Sequence, residues 1–204
     1  MIKPRTAARL FLAALATVLL AACGSTLPRA PATVNMPSYK YVIGPGDTVH
    51  VVVFQNPELS LVVPVRPDGT ISAPLAEDVL AAGKDATTLA RDIEKALSKY
   101  IRDPAVTVLV TQFVGPYSEQ IRVVGEATRP QVLPYRKQMT LLDVMIAVGG
   151  VTDFADGNAA TIMRTAEGNK QYSVRLKDLL KRGDISANVE VRPGDVIIIP
   201  QSWF

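Results

Sequence analysis

The 204-residue chain carries one histidine, His50, and one cysteine, Cys23, so the two side chains most often used for zinc binding and nucleophilic catalysis occur once each. A catalytic zinc takes three protein ligands and a Cys/His nucleophile needs both partners at one place, and this set supplies little to build either. In "TVHVVVF" the valines 49, 51 and 53 alternate with His50, which puts the histidine beside Thr48 on the opposite face of a strand. A Ser-His-Asp arrangement would have to use His50, and the sequence places no serine or aspartate against it. Carboxylates offer a further chemistry: Glu77 or Asp78 with Asp153 or Asp156 would supply the acid and base of a glycosidase. These acids lie in turn-rich stretches, "PLAED" and "DFADGN", where a solvated turn is the simpler role. "DFADGN" (153 to 158) also opens like a calcium loop but lacks the later glutamate that an EF-hand uses, and it is read as a turn after a helix. The inventory points away from an enzyme and calls for no cofactor or metal.

Cys23 has a different chemistry within reach. Lys3, Arg5 and Arg9 make a positive start, and Leu10 to Ala22 is an apolar or small run broken only by Thr17. That is the pattern of a signal peptide over 1–22, too short for a transmembrane helix. Leu20, Ala21 and Ala22 before the cysteine resemble the bacterial lipobox, in which the cysteine sulfur takes a diacylglyceryl group and becomes the new N-terminus. On that resemblance Cys23 is a lipid anchor, and a disulfide within the chain is excluded by count. Gly24 is not the aspartate that retains many lipoproteins at the inner membrane, so an outer-membrane position is expected. The signal holds three of the 22 basic residues and none of the 19 acidic ones, and the remainder is formally neutral. The pI of about 9.0 is therefore no sign of nucleic acid, which is set aside as a partner. Residues 23–38, with Pro28, Pro31 and Pro37, read as a lipidated, extended tether, with folded structure beginning near Tyr39.

The elements beyond it are short strands punctuated by turns. Pro-Gly-Asp occurs twice between β-branched runs, in "YVIGPGDTVHVVVF" (41 to 54) and "VEVRPGDVIIIPQ" (189 to 201). Proline presets φ at the second turn position and glycine supplies φ > 0 at the third, so type II turns are expected at Pro45-Gly46 and Pro193-Gly194. Asp47 and Asp195 then open the next strand, with carboxylates able to accept turn N–H groups; this structural role is preferred over a catalytic pair. Pro67-Asp68-Gly69 signals a hairpin between 61–65 and 70–72. A helix capped by Thr87 or Thr88 should bury Leu89, Ile93, Ala96, Leu97 and Tyr100, stop at Asp103-Pro104, and return as a strand over 105–113. A second unit follows the break at 115–120: strands over 121–124 and 132–135, a helix over 141–148 behind Thr140, a stop at Gly149-Gly150, a strand over 161–165, and a further short helix within 174–182. The pattern is α+β, small sheets each backed by a helix.

GPGD (44 to 47), "NPELS" (56 to 60), "RPDGTI" (66 to 71) and "RDPAVTV" (102 to 108) together resemble the polysaccharide export domain of outer-membrane export lipoproteins, here 39–114. Residues 121 to 164 resemble the soluble-ligand-binding β-grasp domain that follows it, here 120–204, and the second Pro-Gly-Asp matches that family's closing segment. The "SWF" ending is similar to short members that accompany exosortase-type sorting systems. Two departures stand out: Gln131 replaces the usual glycine after "RP", and "PLAED" lacks the glycine common after "PL". With four residues after Pro200, the sequence is expected to lack the amphipathic helix with which long members of that family line a pore. The resemblance implies a lipid-anchored homo-oligomeric ring that passes an exopolysaccharide or capsular polysaccharide, completed by an outer-membrane β-barrel partner and an inner-membrane polysaccharide co-polymerase. The alternative is a monomeric periplasmic glycan-binding adaptor. For that, Tyr117, Tyr135, Tyr172 and Trp203 are the available stacking rings, and core or interface packing is expected for each.

Overall fold

Strand β1 (Thr48–Val53) is the axis of the first unit, because its strict alternation buries Val49, Val51 and Val53 on one face. It pairs antiparallel with β2 (Leu61–Pro64) on one side and β5 (Val106–Gln112) on the other. A separate two-stranded hairpin, β3 (Thr70–Ala73) with β4 (Ala76–Leu80), and helix α1 (Ala86–Leu97) cover the buried face. Ile43, Ile71, Leu89, Ile93 and Leu97 close this core. The computed structural model describes residues 27–33 and 39–203. The expected signal peptide over 1–22 and the expected lipidation of Cys23 fall outside the described residues.

The second unit is a five-stranded mixed sheet in the order β7-β6-β10-β8-β9. Its strands are β6 (Gln120–Gly125), β7 (Val132–Pro134), β8 (Thr161–Arg164), β9 (Lys170–Ser173) and β10 (Val196–Ile199). The central pair β6 and β10 is parallel and every other pairing is antiparallel. Helices α2 (Leu141–Val148) and α3 (Leu176–Lys181) contribute Leu141, Val144, Met145, Val148, Leu176 and Leu179 to its core. In α2 the Thr140 hydroxyl accepts from Asp143 N–H while the Asp143 carboxylate accepts from Thr140 N–H, a reciprocal cap, and Gly149 at φ 79° ends the helix.

Five expectations are corrected. Helix α1 is capped by Asp85, whose carboxylate accepts from Thr88 N–H at 2.7 Å, so Thr87 and Thr88 lie inside the first turn. The helix ends at Leu97, and Tyr100, past its end, is 64% exposed. The Pro67-Asp68-Gly69 turn forms, with Gly69 N–H donating to the Arg66 carbonyl at 2.8 Å, but its flanks do not make one hairpin. The hydrogen bonds of β2 and Val65 go to β1 and Asp47, which leaves β3 to pair with β4. Strands β4 and β9, one acidic and one polar, were not expected at all.

The fifth correction concerns the tether. Ser173 N–H donates to the Pro28 carbonyl at 2.9 Å and Ala30 N–H to Ser173 at 3.2 Å, so residues 28–30 lie along the outer edge of β9. Glu190 N–H reaches the Ala32 carbonyl at 3.0 Å. Ordered backbone pairing thus begins before Tyr39.

Candidate functional site

The two Pro-Gly-Asp turns share one local design. Asp47 N–H donates to the Gly44 carbonyl at 3.2 Å and Asp195 N–H to Arg192 at 3.1 Å, and Gly46 and Gly194 hold φ of 89° and 79°, values a β-branched residue tolerates poorly. In each turn the aspartate carboxylate reaches back to the N–H of the opening residue: Gly44 at 2.9 Å and Arg192 at 2.8 Å. Pro67, Asp68 and Gly69 make a third turn, where Asp68 accepts from Thr70 N–H and lies 3.3 Å from Arg66.

Beyond that shared bond the two aspartates differ. Asp47 is fully buried and also accepts from the Tyr41 hydroxyl at 2.6 Å, Val114 N–H at 2.6 Å and Gly115 N–H at 2.8 Å. It therefore ties the first unit's opening turn to the segment that leaves β5 for the second unit. From the far side the Gln120 amide donates to the Val114 and Gly115 carbonyls. Gly44 makes this approach possible, since a Cβ there would stand 2.2 Å from Pro116 N and 2.3 Å from Gly115 C. Burial and the Asp47 carboxylate push the Tyr41 phenol well above its ordinary range. The locked Tyr41 ring in turn meets Phe113 edge to face at 5.0 Å, and Tyr39 meets Tyr135 in the same way at 5.0 Å.

Asp195 sits among buried charges instead. Arg164 is fully buried, 3.9 Å from Asp195 and 3.7 Å from Glu167, with Tyr172 under its guanidinium at 5.0 Å. Arg192 pairs with Glu167 on the same side, and the Tyr172 hydroxyl, donating to Glu167, holds that carboxyl below its usual range. Burial pushes the Asp195 carboxyl up to about 6, against the pull of the Arg192 N–H and of Arg164.

His50 faces Val62 and Leu109 on the outer side of the first sheet, away from the core valines. Asp78 bonds Arg66 at 2.5 Å, while Asp156 stays in its own turn through Ala159 N–H. No hydrogen bond or ion pair joins Glu77 or Asp78 to Asp153 or Asp156 among the described residues. Nor do three or more His, Cys, Asp or Glu side chains gather there as a metal site. Of the four rings, Tyr135 and Tyr172 are core residues, whereas Tyr117 and Trp203 are 79% and 89% exposed and lie outside the core, which leaves interface packing as the expected role for those two. Sequence inspection missed the Tyr41-Phe113 contact and the Asp47 reach to 114–115. Their partners lie more than sixty residues apart, and no short motif signals them.

Among the described residues no helix is long and apolar enough to cross a membrane. Residues 35–111 match the family described as "Polysaccharide biosynthesis/export protein", and residues 119–199 match the SLBB domain. The EPS I polysaccharide export outer membrane protein EpsA of Ralstonia nicotianae is 26% identical over 185 residues, covering 79% of this chain and 47% of that protein. The protein of the same name from Ralstonia solanacearum is 28% identical over 181 residues, 77% of this chain and 47% of its own length. The exopolysaccharide production protein ExoF of Rhizobium meliloti is 28% identical over 143 residues, 67% of this chain and 32% of that protein. The chain thus spans about half the length of the EpsA proteins it matches.

Proposed function

This chain belongs to the polysaccharide export family, with an export domain followed by an SLBB domain, and from that premise we propose that it is a non-catalytic component of an exopolysaccharide or capsular polysaccharide export path. It is anchored to the outer membrane by lipid on Cys23 after removal of 1–22, faces the periplasm, and assembles as a ring of identical subunits. An outer-membrane β-barrel and an inner-membrane polysaccharide co-polymerase complete the path. The boundaries 39–114 and 120–204 divide the export unit from the second unit, and the parallel β6–β10 pair with α2 supports reading the latter as a β-grasp.

The observation that carries this proposal is the order of the two matched domains across most of the chain, in relatives named for exopolysaccharide export. The Asp47 clasp fits the architectural part: a ring lined by polar groups must keep its shape while a hydrated polymer slides past without tight binding. Deletion of the gene should stop polymer export in the producing bacterium, and the detergent-extracted protein should sediment as a large multiple of its monomer mass. A monomer in detergent would favour the adaptor alternative, and undiminished export after deletion would overturn the export role. Cys23→Ser should leave an unprocessed precursor; wild-type protein without an acyl mass on its N-terminal peptide would overturn the anchor.

A further inference from the structure

Where the two units meet, a cleft of about 470 Å³ opens between Tyr41, Gln112, Phe113, Tyr135 and Arg136. Pro134 and Arg136 also line a second depression of about 460 Å³, together with Lys137, Gln138 and Ile146 of α2. The chemistry along it is mixed in a particular way. Phe113 is 53% exposed, and its ring is held edge to face on Tyr41, whose hydroxyl is fixed by Asp47. Gln112 spends its amide oxygen on the Thr48 hydroxyl at 3.3 Å, and its NH2 has no hydrogen-bond partner among the described residues.

Arg136 and Lys137 are exposed and make no ion pair or side-chain hydrogen bond among the described residues. The acid nearest them in the lining, Asp143, is already engaged by the Thr140 N–H and hydroxyl in the helix cap. The turn that presents the cations holds Gln138 at φ 63°, a strained conformation for a residue with a side chain and one that clusters at ligand sites.

We propose that this cleft is a glycan subsite for an acidic polysaccharide segment: Phe113 takes the apolar face of a pyranose, the Gln112 amide donates to a hydroxyl, and Arg136 with Lys137 engages sugar carboxylates. An exposed ring backed by a rigid partner suits the C–H face of a sugar, and two unpaired cations beside it favour an anionic chain over a neutral one. The choice of a glycan as ligand rests on the export proposal. The choice of an acidic one rests on Arg136 and Lys137. Contact at an open, solvent-exposed cleft is weak, as passage of a polymer requires.

The test uses the purified full chain with two probes of equal length, a hexamannuronate and neutral maltohexaose, and reads binding by saturation-transfer NMR and calorimetry. The wild type should bind hexamannuronate in preference to maltohexaose. R136Q/K137Q, at two exposed positions that the fold does not use, should weaken hexamannuronate binding about tenfold and leave maltohexaose unchanged. Phe113→Leu, which keeps apolar volume against Tyr41 but removes the ring, should weaken both. No binding by the wild type, equal binding of the two probes, or unchanged binding by R136Q/K137Q would overturn the subsite. In cells, deletion of the gene separates the two proposals: export lost on deletion but normal in R136Q/K137Q refutes the subsite and leaves the export role standing.

Discussion

Replacing Asp47 by asparagine removes one acceptor oxygen from a carboxylate that is fully buried and surrounded by four donors. One oxygen serves Tyr41 O–H and Gly44 N–H; the other serves Val114 N–H and Gly115 N–H. Whichever way the new amide turns, its carbonyl keeps one pair and its NH2 faces the other, so two donors lose their acceptor. At about 1–3 kcal/mol for each buried donor left unsatisfied, Asp47→Asn should cost roughly 3 kcal/mol. Asp47→Ala strands all four and should cost at least about 4 kcal/mol, a large share of the about 5–15 kcal/mol that holds a domain folded. In urea, with a slope of about 2 kcal/mol/M, the Asn variant's midpoint should fall by roughly 1.5 M. Asp195→Asn is the internal control. That carboxylate accepts a single backbone N–H on one oxygen and nothing on the other, so asparagine can keep the bond and should not destabilise at neutral pH. A midpoint for Asp47→Asn within experimental error of wild type, or a larger loss for Asp195→Asn, would refute the clasp as a determinant of stability.

The buried Asp195 also sets a pH dependence. Its carboxyl is raised from 3.8 to about 6, so the folded state holds this proton more tightly than the unfolded one. The stability from this group is therefore complete below about pH 4 and lost as pH rises through about 6, and between those limits wild type should lose up to ~3 kcal/mol relative to Asp195→Asn. Paired urea titrations at pH 4.5 and 7.5 check this, and a constant difference between the two proteins would contradict it. Gly44→Ala places a methyl against the backbone of Gly115 and Pro116, which have no flexible end to yield, and should separate the units; faster proteolytic cutting within 113–119 is the expected readout. Thr140→Ala removes one half of the reciprocal cap on α2 and should cost about 1 kcal/mol, measured as a lower thermal midpoint.

Helix α2 was legible in the sequence because every local signal agreed: Thr140 with Asp143 three positions later, an apolar run, and a double-glycine stop. The start of α1 was misread for a chemical reason. Asp85, Thr87 and Thr88 are all good caps, and the carboxylate, the stronger acceptor, takes the position. Strand β4 escaped notice because Glu77 and Asp78 face solvent on a two-stranded ribbon, where alternation has little core to report. Strand β9 buries only Tyr172 among its four residues, too sparse a pattern for a period to appear. Both Pro-Gly-Asp turns were visible, but the difference between Asp47 and Asp195 was not. It depends on which distant groups the fold brings to each carboxylate beyond the local turn bond they share: the Val114 and Gly115 N–H groups in one case, a buried guanidinium in the other. The cleft at the junction draws on residues from 41, 112–113 and 134–137, segments that share no motif, so only the assembled units reveal it.

The course of residues 28–32 has a mechanical consequence. This stretch precedes the first unit in the chain, yet its backbone bonds go to Ser173 and Glu190 of the second. A pull applied at the N-terminal end is therefore borne first by the edge of β9 and passes into the five-stranded sheet, while the unit built on β1 is shielded from the load. It would feel that load only after those few bonds had peeled away.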